Sequence, residues 1–189
     1  MRQTDLTRRD WIGRCLGHGA GWWALAAPVR ARAQANPPNA AATAEAAAPP
    51  LPAVGTKLAV PAMDLLDGRR FTPADADAGV LLVYWWASWC PFCAIVSPMI
   101  DRLWQAQRGR GLGLLALSID RRPEDARAYL QQRGYAWPTA WTGQHGLAQA
   151  LPKPRGLPVT LVRGRDGRVL QAEAGQLFPE DVEAMARHV

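Results

Sequence analysis

Cys90 and Cys93 are separated only by Pro91 and Phe92. Two thiols this close are poorly placed to staple distant parts of a fold, but they can cycle between a dithiol and a disulfide. Such exchange needs an exposed thiolate and a second thiol within its reach. Pro91 suits the first turn of a helix, where no intrahelical N–H is required. Cys90 would then stand just before the helix, where free N–H groups and the dipole favour negative charge. Its pKa is expected to fall from about 8.5 into the range of about 3.5–7.5 seen at such positions. Cys90 is therefore read as the attacking nucleophile. Cys93, one turn further in, resolves the mixed disulfide that Cys90 forms. Zinc normally takes four ligands. From Asn36 onward the chain adds only His145 and His188 to the two cysteines, at no zinc-like spacing. No metal and no cofactor is expected.

The elements that must position this pair follow from the apolar pattern. Val80–Trp86 is a continuous apolar run and predicts a buried strand that ends just ahead of Cys90. A helix is predicted from Pro91 to about Arg108, with Pro98 as a kink within it. Gly111–Ile119 predicts a second strand, Pro123–Arg133 a second helix closed by Gly134, and Pro158–Arg163 a third strand. Asp166-Gly167 turns the chain into a fourth strand, 168–174, and a last helix starts at Pro179. This order predicts an α/β fold, a mixed sheet with helices on both faces. Trp85 and Trp86 are read as core residues on opposite faces of their strand. Trp137 and Trp141 are read as packing residues, Asp120 as a cap or turn residue, and His145 is given no role.

The chain has 189 residues and a formal net charge of +6, which invites a nucleic-acid reading. The charge is unevenly placed. Residues 1–35 hold Arg2, Arg8, Arg9, Arg14, Arg30 and Arg32 against only Asp5 and Asp10. The remainder is close to balanced, so no nucleic-acid partner is expected. The first segment reads as an export signal. A twin-arginine block, Thr7-Arg8-Arg9-Asp10-Trp11-Ile12, precedes a weakly apolar stretch, and Ala33-Gln34-Ala35 fits a small-residue cleavage site. Cys15 would leave with it; Arg14 occupies the position where lipidation needs a small residue. Residues 36–53 are almost all Ala and Pro and predict a tether or disordered arm. A single folded domain is expected over 54–189, with no permanent membrane span.

Trp86-Ala87-Ser88-Trp89-Cys90-Pro91-Phe92-Cys93 resembles the active-site segment of thioredoxin-fold proteins. Pro98 matches the helix proline of that fold, and Gly156-Leu157-Pro158-Val159-Thr160 its cis-proline loop. Leu112–Trp141 resembles the strand–helix insertion, and Leu58–Phe71 with its Asp67-Gly68 turn the N-terminal β-hairpin, of the periplasmic TlpA/ResA-like thiol-disulfide oxidoreductases. The resemblance covers about 54–189. It implies a thioredoxin fold with both additions and a cis bond before Pro158. It implies an apolar rim at Trp89, and a substrate surface formed by Trp89, Pro91, Phe92, Leu157 and Pro158. It also implies a monomeric periplasmic disulfide reductase acting on exported proteins, apocytochrome c among them, with electrons from a membrane thiol-disulfide relay.

Two acids of this family are absent. Tyr84 stands where thioredoxin has a buried Asp, and Val96 where some relatives have a Glu. The proton route to the inner cysteine must differ, through solvent or the tyrosine hydroxyl. Two alternatives have different chemistry. A peroxiredoxin-like peroxidase would need Thr or Ser three residues before the reactive cysteine, where Ala87 stands. A thioredoxin-fold copper-binding module would carry a wider cysteine spacing and a His ligand.

Overall fold

The computed structural model describes Thr43 and residues 46–189, all within the second of the chain's two compact units, 38–189. The expected export signal, 1–35, and the start of the Ala/Pro segment lie outside the described residues.

The centre of the fold is β3, Val80–Trp86, the run expected as a buried strand. It pairs in parallel with β4, Leu112–Ser118, on one side. On the other side it pairs antiparallel with β6, Val159–Arg163. The full order is β5-β4-β3-β6-β7, with β5 at Thr139–Trp141 and β7 at Val169–Ala174. Flanked on both edges and covered on both faces, β3 must be apolar throughout. The parallel strands enter side by side through Gly79 and Gly111; a Cβ on Gly79 would collide with the Gly111 carbonyl oxygen.

Alternation along β3 separates two cores. Leu82, Tyr84 and Trp86 face helix α2, Pro91–Gln107, helix α3, Pro123–Arg133, and the last helix α5, Pro179–Ala186. Leu81, Val83 and Trp85 face the opposite way. There they meet the hairpin of β1, Met63–Asp64, and β2, Arg70–Phe71, with the short helices α1, Pro73–Asp77, and α4, Leu147–Ala150. The two tryptophans thus take opposite faces, as expected. The three longer helices share the face that carries the cysteines.

The long elements begin and end where their signals lie. Helix α3 has Pro123 at its start and Glu124 and Asp125 in its first turn. It closes on Gly134, whose φ of 70° lets its N–H reach the Leu130 and Gln131 carbonyls. The expected N-terminal hairpin is present as β1 and β2, but the other short elements, α1, α4 and β5, were not foreseen. In α1, Thr72 and Asp75 form a capping box, with the Thr72 N–H donating to Asp75 Oδ2 at 2.8 Å. Strand β5 extends the expected strand–helix insertion to a β-α-β unit, and an isolated bridge from Leu65 to Ala140 ties the hairpin to it. Each is too short for a periodicity signal.

The described end of the Ala/Pro segment differs from the free tether expected over 36–53. The Arg155 N–H donates to the Pro49 carbonyl at 2.8 Å, its guanidinium reaches the Ala46 carbonyl at 3.1 Å, and Leu51 packs against the second core. Its prolines cannot build a core, but their free carbonyls can accept from a domain that offers donors.

Candidate active site

Three loops meet at one end of the sheet. Register dictates this: Trp86 at the end of β3 pairs with Ser118 at the end of β4, and Trp85 pairs with Val159 at the start of β6. Residues 87–90, 119–122 and 156–158 therefore emerge together. The two cysteines enter from the first loop and Pro158 from the third.

Cys90 caps helix α2, with extended backbone at φ −84° and ψ 115°. Its sulfur accepts the Cys93 N–H at 3.2 Å. The helix thus directs a backbone donor at the atom expected to carry charge. Both cysteines are free thiols. Cys90 keeps 5% exposure, whereas Cys93 keeps none. Burial pushes the Cys93 thiol well above its ordinary range, and the neighbouring Cys90 side chain adds to the rise. The Ala87 backbone and the Tyr84 hydroxyl oppose it. The arrangement can hold one sulfur as a reachable nucleophile and the other as a protonated reserve.

The loop before Cys90 is fixed by a buried carboxylate. Asp120, 4% exposed, accepts the Ser88 N–H at 3.1 Å and the Ser88 hydroxyl at 2.7 Å. The Ser118 hydroxyl donates to its other oxygen at 2.7 Å. The Asp120 carbonyl in turn accepts the Trp141 indole N–H at 2.7 Å. Asp120 is neither a helix cap nor in a turn but lies in the loop just after β4, where it anchors the end of that strand to the cysteine loop. A strand-ending acid one strand away from a Ser-Trp-Cys segment was the available signal.

Trp89, Phe92 and Ile95 stand exposed at 63%, 52% and 54%, an apolar rim beside Cys90. Pro91 is exposed among them. The rim extends to Ile95 in the first turns of α2. The Leu157–Pro158 bond is cis. Leu157 is half-buried and packs against both cores, and Pro158 is buried, its carbonyl accepting the Gly175 N–H at 2.8 Å. Neither the N–H nor the C=O of Leu157 has a hydrogen-bond partner among the described residues.

Beneath Cys93 lies Tyr84, fully buried, its hydroxyl 3.1 Å from the Ser97 hydroxyl. Ser97 was not singled out from the sequence. Trp137 stacks on Tyr135, meets Tyr84 and Trp86 edge-on, and donates its indole N–H to Asp101 at 2.8 Å. It is a packing residue on the cysteine side, as read. His145 is exposed. No group of three or more metal-ligating side chains is present among the described residues.

A thioredoxin fold with a helix-capping cysteine, a second cysteine one turn on and a cis-proline loop alongside defines a thiol-disulfide oxidoreductase. The chain belongs to the Redoxin family, which matches residues 50–187. It is 31% identical to the thiol:disulfide interchange protein HelX of Rhodobacter capsulatus, over 87% of this chain and 82% of that one. It is 22% identical to the thiol-disulfide oxidoreductase ResA of Bacillus anthracis, over 66% of this chain and 71% of that one. Among solved structures it is similar to a thioredoxin-family thiol:disulfide interchange protein of Chlorobium tepidum. The TM-score is 0.63 at 19% identity, covering 72% of this chain and 97% of that one. A secreted Mycobacterium tuberculosis disulfide oxidoreductase homologous to E. coli DsbE gives 0.57 at 13% identity, over 68% and 95%.

Proposed function

We propose that the chain is an exported disulfide reductase in which Cys90 attacks and Cys93 resolves. The observation that carries this reading is the asymmetry of the pair. Cys90 sits at the helix start with a backbone donor on its sulfur, and Cys93 is sealed in an apolar pocket. Cys90 thiolate attacks one sulfur of a partner disulfide, which leaves the other as a thiolate. Cys93 then attacks Cys90, the partner leaves reduced, and the Cys90–Cys93 disulfide remains. Electrons from a membrane thiol-disulfide relay restore the dithiol.

Trp89, Pro91 and Phe92 form the apolar face that a partner segment would cover. Leu157, beside Pro158, offers for main-chain pairing an N–H and C=O that have no partner among the described residues. The partners are exported proteins bearing disulfides, apocytochrome c among them, and the protein works in the periplasm as a monomer. The twin-arginine block and the Ala33-Gln34-Ala35 site support export, and the HelX relative supports the interchange activity.

Two measurements test this. Cys90→Ser should abolish exchange, and Cys93→Ser should accumulate mixed disulfides on gels; trapping by Cys90→Ser instead would reverse the roles. The reduction potential of the pair sets the direction of electron flow. A value toward thioredoxin's, about −270 mV, supports a reductase; one toward about −120 mV, as in DsbA, makes it a disulfide donor.

A further inference from the structure

We propose that the cleft between Trp89 and Arg121 selects partners by charge, taking an acidic side chain that lies beside the cysteine attacked by Cys90. This rests on the reading that Cys90 attacks. The cleft has a volume of about 480 Å³ and is lined by Trp89, Ile119, Arg121 and Asp125. Trp89 immediately precedes Cys90 in the chain. A partner segment whose cysteine has reached Cys90 therefore lays its neighbouring residues along this cleft.

Both walls start from backbone that is tied together. Asp120 accepts the Ser88 N–H and hydroxyl, and the Ile119 N–H donates to the Trp86 carbonyl at 3.0 Å. The Asp120 carbonyl is held in turn by the Trp141 indole N–H. Trp89 follows Ser88, and Arg121 follows Asp120. Ile119, half-buried, packs against both cores. The cleft backbone is thus preorganised, and a partner does not have to order it.

The sign of the cleft follows from how its ionic groups are already used. The loop after β4 and the first turn of α3 carry Asp120, Arg121, Arg122, Glu124 and Asp125. Asp120 is buried and takes the Ser88 and Ser118 donors. Asp125 accepts the Arg122 guanidinium at 2.6 and 3.2 Å, and Glu124 accepts the Arg127 guanidinium at 3.5 Å. Arg121 is exposed and has no hydrogen bond, ion pair or ring contact among the described residues. Each exposed acid beside it is matched by another arginine, so Arg121 leaves the cleft with uncompensated positive charge. Trp89, 63% exposed, gives the cleft its apolar wall. A guanidinium presents N–H donors in a planar fork that matches a carboxylate. A basic side chain of the partner would be repelled there. An apolar one would gain the tryptophan but leave the guanidinium to water. A charge at the rim of an interface acts mainly on the rate of encounter and on the choice of partner.

The test uses peptides of one neutral sequence, each with a single cysteine held as a 2-pyridyl disulfide and flanked by Glu, Gln or Lys. The Cys90 thiolate attacks the peptide sulfur. The Cys90–peptide bond forms as the bond to the pyridine sulfur breaks, and the pyridinethiolate leaves with the electron pair and takes a proton from solvent. Stopped flow on the reduced full chain reads the absorbance of this leaving group. At low salt the Glu peptide should react about 2- to 5-fold faster than the Gln peptide, and the Lys peptide slower than it by a similar factor. Ratios taken within one variant cancel the intrinsic reactivity of Cys90. The Glu-to-Gln ratio should fall to about one in Arg121→Ala and below one in Arg121→Glu. In the unmodified chain it should fade at about 1 M salt, where the screening length is about 3 Å. A ratio of about one in the unmodified chain at low salt, or a ratio that Arg121→Ala leaves in place, would overturn the proposal. If Arg121→Glu fails to fold, Arg121→Ala decides alone. Release lost in Cys93→Ser but retained in Cys90→Ser would instead overturn the role assignment beneath it, whatever the ratios.

Discussion

The two faces of the central sheet carry different burdens. Both are lined by alternate residues of the same strands. On one face Leu81, Val83 and Trp85 meet Leu115, Leu117, Val159 and Leu161, and the one buried charge among the described residues there, Arg163, lies at the far end from the cysteines and donates to the Ala76 carbonyl and Asp77. On the other, Leu82, Tyr84 and Trp86 meet Cys90 and Cys93, and the buried hydroxyl of Ser97 sits among them. The first face is built from short elements and the N-terminal segment, the second from the three longer helices. The difference teaches how one strand can serve stability and chemistry at once. The pleat sends every second residue to each task. A one-residue slip of β3 would exchange Tyr84 for Trp85 beneath Cys93.

This contrast can be broken from the apolar side first. Leu161→Ala removes a fully buried side chain from the far core. It should cost about 2–5 kcal/mol, measured by urea unfolding. The rate at which Cys90 of the folded fraction attacks a chromogenic disulfide should stay at the wild-type value. A large change in that rate would mean that the two faces are coupled.

A smaller effect is expected where the cysteine loop is anchored. Asp120→Asn replaces a carboxylate that takes three donated hydrogen bonds by an amide with one acceptor oxygen. The loss should be about 1.5–3 kcal/mol. Unlike Leu161→Ala, it should also change the alkylation rate of Cys90, because Ser88 lies two residues before it. Unaltered alkylation would reduce Asp120 to a purely structural loop residue.

The smallest effect is a pH dependence confined to the cysteine face. The Cys93 thiol is raised by burial in the folded state, so the folded protein holds its proton where the unfolded chain, with a thiol near pH 8.5, has released it. The stability this contributes is fully present below about pH 8.5 and is lost as pH rises above it. The loss should approach about 1.4 kcal/mol per pH unit. Comparison of reduced wild type with Cys93→Ala should isolate it, and parallel stability curves would refute it.

Much of the molecule was legible in the chain because its signals are local. The strand 80–86 was visible as an unbroken apolar run, and α3 from Pro123 to Gly134 by its end signals. Cys90 and Cys93 lie on one turn of one helix, so their spacing already implies contact. The elements that escaped notice, α1, β5 and α4, are three to five residues long. They owe their form to what they pack against.

The division follows from range. Helix periodicity, proline starts, glycine ends and the two-residue gap between cysteines are written in neighbouring residues, where backbone geometry acts directly. The partnership of Ser88 with Asp120 spans 32 positions and that of Tyr84 with Ser97 spans 13. No propensity links such residues. They meet because β3 and β4 pair in a particular register and α2 lies across them, and burial then forces each polar group to take the partner it finds there.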